Sequence, residues 1–229
     1  MIEQLARSRP KALTDPAGLA VITACKALAE RILFLEAQDK DLTAQLDTLV
    51  AAINPALRAA YGVGPDTAAQ LIITAGTNPH RLTSEASFAA LCGAAPVPAS
   101  SGKTTRHRLS RGGDRAANNA LHRIALVRMS SDKTTKDYVT RQLAAGRSKM
   151  EILRKLKRAI AREVFKLLTR PLTVPDYSDL RQARQTKNIT LTAVANNFGV
   201  WPMVISMLER GLKRDDQFAE TYRQWLVAA

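Results

Sequence analysis

The chain has 229 residues, with 34 Lys and Arg against 20 Asp and Glu, a formal net charge of +14; a hydrophobic share of 46% gives it one good core or two small ones. A positive surplus of that size calls for a polyanion, and nucleic acid is the commonest one. With no long apolar span, acylation signal or signal-peptide pattern, and only three scattered histidines and two distant cysteines (Cys25, Cys92), the sequence excludes a membrane protein, a secreted disulfide scaffold and a zinc module.

The charge is localised. Residues 1–60 carry seven basic and seven acidic side chains, residues 61–174 twenty and seven, and residues 175–229 seven and six. The middle segment therefore carries the polyanion site, and counterion release would make its binding salt-sensitive. The expected setting is cytoplasmic and nucleoid-associated, and the expected fold is mainly α in three parts: residues 1–55, 56–171 and 176–229.

Residues 1–13 are polar and Pro-interrupted, and are expected to fray. Asp15 offers an N-cap ahead of Pro16. Apolar residues then alternate four and three apart. Val21, Leu28, Leu35, Leu42 and Leu49 take one heptad position, and Cys25, Ile32, Leu46 and Ile53 the other, with Asp39 breaking the seam. Asn54-Pro55 should end this long helix. So narrow a seam favours pairing with another copy through residues 16–53 over folding back on the same chain.

Residues 56–75 read as helix, tight turn and helix. The Gly62-Val63-Gly64-Pro65 turn resembles the helix-hairpin-helix DNA-binding motif, in which Gly62 and Gly64 would free backbone N–H groups for a phosphate; a plain turn between packed helices is the other reading. Ser84 caps a short helix, Glu85 to Cys92, ended by Gly93. Residues 95–113 read as a loop with a short hairpin near Lys103–Leu109. Within it Ser100-Ser101-Gly102 puts a small hydroxyl beside a glycine, and Lys103, Arg106, Arg108 and Arg111 supply charges for phosphate oxygens. Asp114 caps a helix through Ser130 with Arg115 in its first turn, and Ala117, Leu121, Ile124 and Ala125 form its buried face. Helices over 132–144 and 148–169 follow. The second turns Ile152, Leu156, Ile160 and Val164 inward and Arg154, Lys155, Lys157, Arg158, Arg162 and Lys166 outward, a face suited to nucleic acid.

From Tyr61 to Pro171 these pieces resemble, in order and spacing, the C-terminal domain of the IS110/IS116/IS902 transposases, which are serine-dependent DNA recombinases. They are Gly62-Val63-Gly64-Pro65 with Thr67-Ala68-Ala69, then Phe88 to Gly93 with Pro96, Ser101-Gly102, Leu109 to Asp114, and Ala120-Leu121. The resemblance implies that Ser101, with Ser100 as the fallback, is the nucleophile that attacks DNA, and that the partners are DNA and in some members a guide RNA. It also implies an acidic, nuclease-like half holding a divalent metal, expected to be magnesium. Residues 1–20 do not recreate that half, so no cofactor is expected in this chain, a separate acidic subunit is an expected partner, and complete recombination by this chain alone is in doubt. A noncatalytic DNA- or RNA-binding regulator is the alternative.

After the Pro171–Pro175 linker, residues 177–211 resemble the helix-turn-helix of Cro and phage-repressor regulators. Leu191–Phe198 would be its second helix, Gly199 its turn and Met203–Glu209 its third. The outward positions there are Trp201, Pro202, Met203, Ser206 and Met207, and Arg210 is the one strong donor for a base edge. DNA contact through Arg210 and contact with a protein partner both stay open.

Overall fold

The computed structural model of the chain describes residues 1–8, 15–76, 82–98, 107–108, 110, 112–170, 174–211 and 214–228. Over these the fold is mainly α, as expected, with one two-stranded sheet. Residues 2–6, expected to fray, instead form α1 (Ile2–Ala6), which packs on the long α2 (Pro16–Ile53). Asp15 starts α2 by accepting the N–H groups of Ala17 and Gly18, both at 3.0 Å, and thereby satisfies two donors that the first turn leaves open.

At about 1.5 Å per residue, α2 is about 57 Å long. Val21, Leu28, Leu35, Leu42 and Leu49, the five residues of one heptad position, all remain exposed in the single chain, Leu42 at 64%. Only the last turns of α2 enter a core. There Leu46 and Val50 pack with Leu57 of α3 (Pro55–Ala59). Asn54 sits at the junction, accepting the Leu57 N–H at 2.8 Å and donating to the Leu167 carbonyl at 3.0 Å. The boundary expected at residue 55 thus divides two helices that share one core.

That core is built from α4 (Pro65–Ala75), α5 (Glu85–Leu91), α6 (Arg115–Ser131) and α8 (Lys149–Thr169), and α7 (Lys133–Ala144) packs on α6 and α8 without adding an apolar residue to it. Helix α6 is the central member, packed against α4, α7 and α8, and α5 packs on α8. Its expected inner face, Ala117, Leu121, Ile124 and Ala125, is fully buried. Small alanines on α6 let its neighbours approach closely, and Leu71, Phe88, Ile160 and Val164 fill the space between them. Arg128 locks the far end of α6, donating to both carboxylate oxygens of Glu163 at 2.7 and 2.9 Å and to the Tyr61 carbonyl at 2.8 Å. No single helix among the described residues is long and apolar enough to cross a membrane.

A second core lies in α9 (Ser178–Thr186), α10 (Leu191–Phe198), α11 (Pro202–Glu209) and α12 (Asp216–Ala228). Gly199, with φ of 63°, lets the chain leave α10 in a left-handed step, and α10 and α11 meet at 111°. Helix α12, which the sequence reading did not anticipate, closes the unit. It contributes Ala219, Tyr222 and Leu226 to the core and sets Phe218, Tyr222 and Trp225 edge-on around Phe198. Beneath them Arg184 donates to both oxygens of Glu209 at 2.7 and 2.9 Å, and the Tyr222 hydroxyl donates to Glu209 at 2.8 Å. Burial, followed by the neighbouring Glu209 carboxylate, raises the Tyr222 phenol well above its ordinary range.

Because this buried pair is fully hydrogen-bonded, removing one partner should cost far more than removing both. Arg184→Met is expected to destabilise the C-terminal unit by about 3–5 kcal/mol by stranding Glu209, while Arg184→Met with Glu209→Leu recovers most of the loss. Both tryptophans, Trp201 and Trp225, lie in this unit, so urea unfolding followed by tryptophan fluorescence reads it directly.

Candidate nucleic-acid interface

Between α5 and α6 the backbone crosses itself. Asp114 donates its N–H to the Leu91 carbonyl at 2.7 Å, and the chain at Gly113 runs so close to Gly93 that a Cβ on Gly113 would stand 2.6 Å from the Gly93 nitrogen and from the Leu91 oxygen. Gly113 also has φ of 92°, a conformation that glycine adopts without steric cost. The crossing closes the base of the 94–112 segment. Just above it β1 (Val97–Pro98) pairs antiparallel with β2 (His107–Arg108), Val97 opposite Arg108 and Pro98 opposite His107. The hairpin expected near 103–109 is therefore wider, its paired neck formed by 97–98 and 107–108. Ser100, Ser101, Gly102, Lys103, Arg106 and Arg111 lie outside the described residues.

Asp114 joins this neck to α6. It accepts the Ala116 and Ala117 N–H groups and the Thr74 hydroxyl, the last at 2.6 Å. The Thr74 hydrogen bond, with the two backbone N–H groups, holds its carboxyl below the usual carboxylate range. Asn118, one turn on, donates to the Cys92 and Gly93 carbonyls at 2.8 and 3.0 Å and accepts from Lys157 Nζ at 2.9 Å, tying the crossing to α8. Cys92 is fully buried there. Its thiol is pushed up to about 12 by burial, with Asp114 adding to the effect, so it is an inert core group.

Beside the crossing lies a cavity of about 440 Å³. One wall is α8, with Arg154, Lys155, Lys157, Arg158 and Arg162; Arg147 and Arg108 complete a ring of seven cations, and Glu151 is the one acid among the described lining residues. Lys157, expected on the outward face, is only 7% exposed. It stands in the row Leu153, Lys157, Ile160 and Val164, whose three apolar members are buried, so helical geometry carries it inward with them. Glu85 engages two other members of the ring, accepting from Arg158 at 3.1 Å and pairing with Arg162 at 2.9 Å. Arg154 is half-buried and Arg108 exposed.

The other expected contacts sit elsewhere. Gly62 has φ of 78° and packs against Arg128 and Ile124 of α6, and the Gly64 N–H is taken by Thr67 Oγ1 at 3.0 Å, so both glycines serve the turn between α3 and α4. Arg115 is exposed at the start of α6, and Arg210 is exposed just past α11 with Trp201, itself 81% exposed, at the other end of that helix. Among the described residues no group of three or more His, Cys, Asp or Glu side chains could hold a metal ion. Sequence reading missed Asn118, although its spacing of three from Leu121 and seven from Ala125 places an amide in the buried row of α6.

Residues 54–140 match the family model described as "Transposase IS116/IS110/IS902 family". The chain is also similar to the "Insertion element IS110 uncharacterized 43.6 kDa protein" of Streptomyces coelicolor, 32% identical over 145 residues that make up 62% of this chain and 36% of that protein. It thus spans about a third of the length of the curated relative it matches.

The glycine crossing falls inside the matched segment, and its packing leaves no room for substitution. Gly113→Ala forces a Cβ into backbone and keeps a left-handed φ, and is expected to destabilise the central bundle by about 2 kcal/mol or more. Gly112→Ala, where a Cβ meets nothing within 4 Å, is the control and should stay near the parent chain in thermal unfolding by far-ultraviolet circular dichroism.

Proposed function

We propose that this chain, which carries a transposase domain of the IS116/IS110/IS902 family over residues 54–140, acts in the movement of an insertion element by holding DNA at the cation ring and attacking it with Ser101. The observation that carries the reading is the paired neck beside the cation-lined cavity. The neck at 97–98 and 107–108 puts Arg108 on the cavity wall, and Ser101 follows Pro98 by three residues, a covalent reach of at most about 11 Å. The serine oxygen would form an ester to phosphorus as the bond to the leaving deoxyribose oxygen breaks. The hydroxyl proton ends on that oxygen, so bond energy is conserved in the protein–DNA ester. Arg108, with Lys103, Arg106 and Arg111, would steady the charge on the phosphorus oxygens. The magnesium that the resemblance implies finds no fitting ligand set among the described residues; the resemblance puts it on an acidic, nuclease-like half. A guide RNA would meet the same basic surface.

The unit at 176–229 is read as a helix-turn-helix, supported by the 111° turn at Gly199. The exposed apolar residues Trp201 and Met203 at α11, with Arg210 just past its end, fit protein contact as well as DNA contact. The exposed heptad row of α2 supports self-association, because five large apolar side chains in one line are what a second copy would cover.

The nucleophile is tested with a nicked suicide DNA substrate, this chain and the acidic half, followed by a denaturing gel. A covalent adduct is expected, lost in Ser101→Ala and kept in Ser100→Ala, with DNA affinity changed less than twofold. An adduct that survives Ser101→Ala transfers the role to Ser100 if Ser100→Ala removes it, and no adduct from a DNA-bound, complemented complex supports the noncatalytic regulator instead. Self-association is tested by light scattering: the parent chain should be dimeric or larger at micromolar concentration and Leu28→Glu with Leu35→Glu monomeric, since charges on the seam would be buried unpaired.

A further inference from the structure

The floor of the cation-lined cavity differs from its rim. Lys157, buried at the floor, has one hydrogen bond among the described residues, to the neutral Asn118 side chain, and no carboxylate partner there. Burial, then the nearby Arg154, lowers its pKa below the ordinary lysine range. Arg158 gives one terminal nitrogen to Glu85, but its other, Nη1, is buried and finds no hydrogen-bond partner among the described residues. Buried donors are normally satisfied, and a buried lysine whose hydrogen-bond partner is a neutral amide, beside an arginine nitrogen that has none among the described residues, calls for an anionic oxygen. The rest of the lining includes small, apolar residues: Ala94, Ala95 and Pro96 from the turn after α5, and Ala159 from α8.

A space of about 440 Å³ falls in the class that encloses a whole small molecule, and one phosphate group would leave most of it unfilled. A paired duplex shows its phosphates on a convex backbone and keeps its bases stacked inside. It can touch Arg147 and Lys155 at the rim, but it cannot carry a sugar and base down to the turn. An unpaired nucleotide can do so, with its phosphate on the two cations and its sugar and base against Pro96 and Ala159. We propose that this cavity is a binding site for one unpaired nucleotide of a DNA strand, with Lys157 and Arg158 on its phosphate and Asn118 positioning Lys157. The inference rests on the DNA-binding reading above and adds that the strand is locally opened where it meets α8.

The test measures fluorescence anisotropy of the full chain, at one fixed salt concentration, on a fully paired duplex and on the same duplex with several unpaired nucleotides at one end. The splayed substrate is expected to bind at least tenfold tighter. Lys157→Met should remove most of that preference, weakening binding of the splayed substrate at least fivefold more than binding of the duplex. Ala159→Trp, at an exposed position of α8 on the cavity lining, should do the same by filling the cavity with all seven cations retained, and it decides the matter if Lys157→Met fails to fold. Arg147→Gln with Lys155→Gln should weaken both substrates equally. Equal affinity for the two substrates in the parent chain, or equal losses on both in Lys157→Met and Ala159→Trp, overturns the nucleotide site and leaves DNA binding standing. Absence of binding to either substrate overturns the DNA-binding reading itself.

Discussion

At Gly93 and Gly113 two stretches of backbone pass so closely that neither position admits a side chain, and the interface takes its geometry from that crossing. The 94–112 segment leaves and returns at one point, so the hairpin neck above it has a fixed base. Asp114 and Asn118, on consecutive turns after the crossing, attach that base to α4 through Thr74 and to α8 through Lys157. A loop of nearly twenty residues would ordinarily sample many orientations. Here its ends are held by hydrogen bonds to three helices, and the entropy of placing the neck is met by folding of the bundle rather than by a ligand.

The two cores differ in how they hold their buried cations. In the C-terminal unit Arg184 and Glu209 satisfy one another and Tyr222 completes the set, so the charges are closed off and serve cohesion. In the central bundle, among the described residues, Lys157 has only an amide as hydrogen-bond partner, and Arg158, though paired with Glu85, keeps an unmet nitrogen. Desolvating a charge without a counterion opposes folding. Arg128 and Glu163, on the same two helices, show that α6 and α8 do carry a closed pair elsewhere. Among the described residues the imbalance lies at the cavity, where an anion arriving from outside would correct it.

Charge and apolar surface are also divided along the chain. The first 60 residues are neutral overall and expose an apolar row, while residues 61–174 hold the positive surplus on a compact bundle. A helix about 57 Å long that carries three basic and five acidic side chains would meet a second copy without the repulsion that two strongly basic bundles would impose at contact. Separating the seam from the cations lets one chain carry both surfaces.

What could be read from the residues was what neighbours in sequence decide. Asp15 before Pro16, Ser84, Asp114, Asp132 and Ser148 marked helix starts because a cap needs only the next two or three N–H groups, and each boundary appears within a residue or so of its cap. The heptad row of α2 and the alanine face of α6 followed from helical period alone, and the transposase resemblance from motif order. Helix α12 went unread because its placement depends on burying Tyr222 against residues of three other helices, and the neck at 97–98 and 107–108 because pairing across nine residues leaves little local pattern. Lys157 was assigned outward by residue type, although its spacing from Leu153 and Ile160 already placed it in the buried row. The sequence by itself determined where helices begin, which faces are apolar and where the charge lies, since these depend on contacts a turn or two apart. Only the tertiary structure decided that two glycines cross, that Asn118 reaches Lys157 and that seven cations surround one cavity, because those contacts join residues 20 to 50 positions apart whose approach is set by how the helices pack.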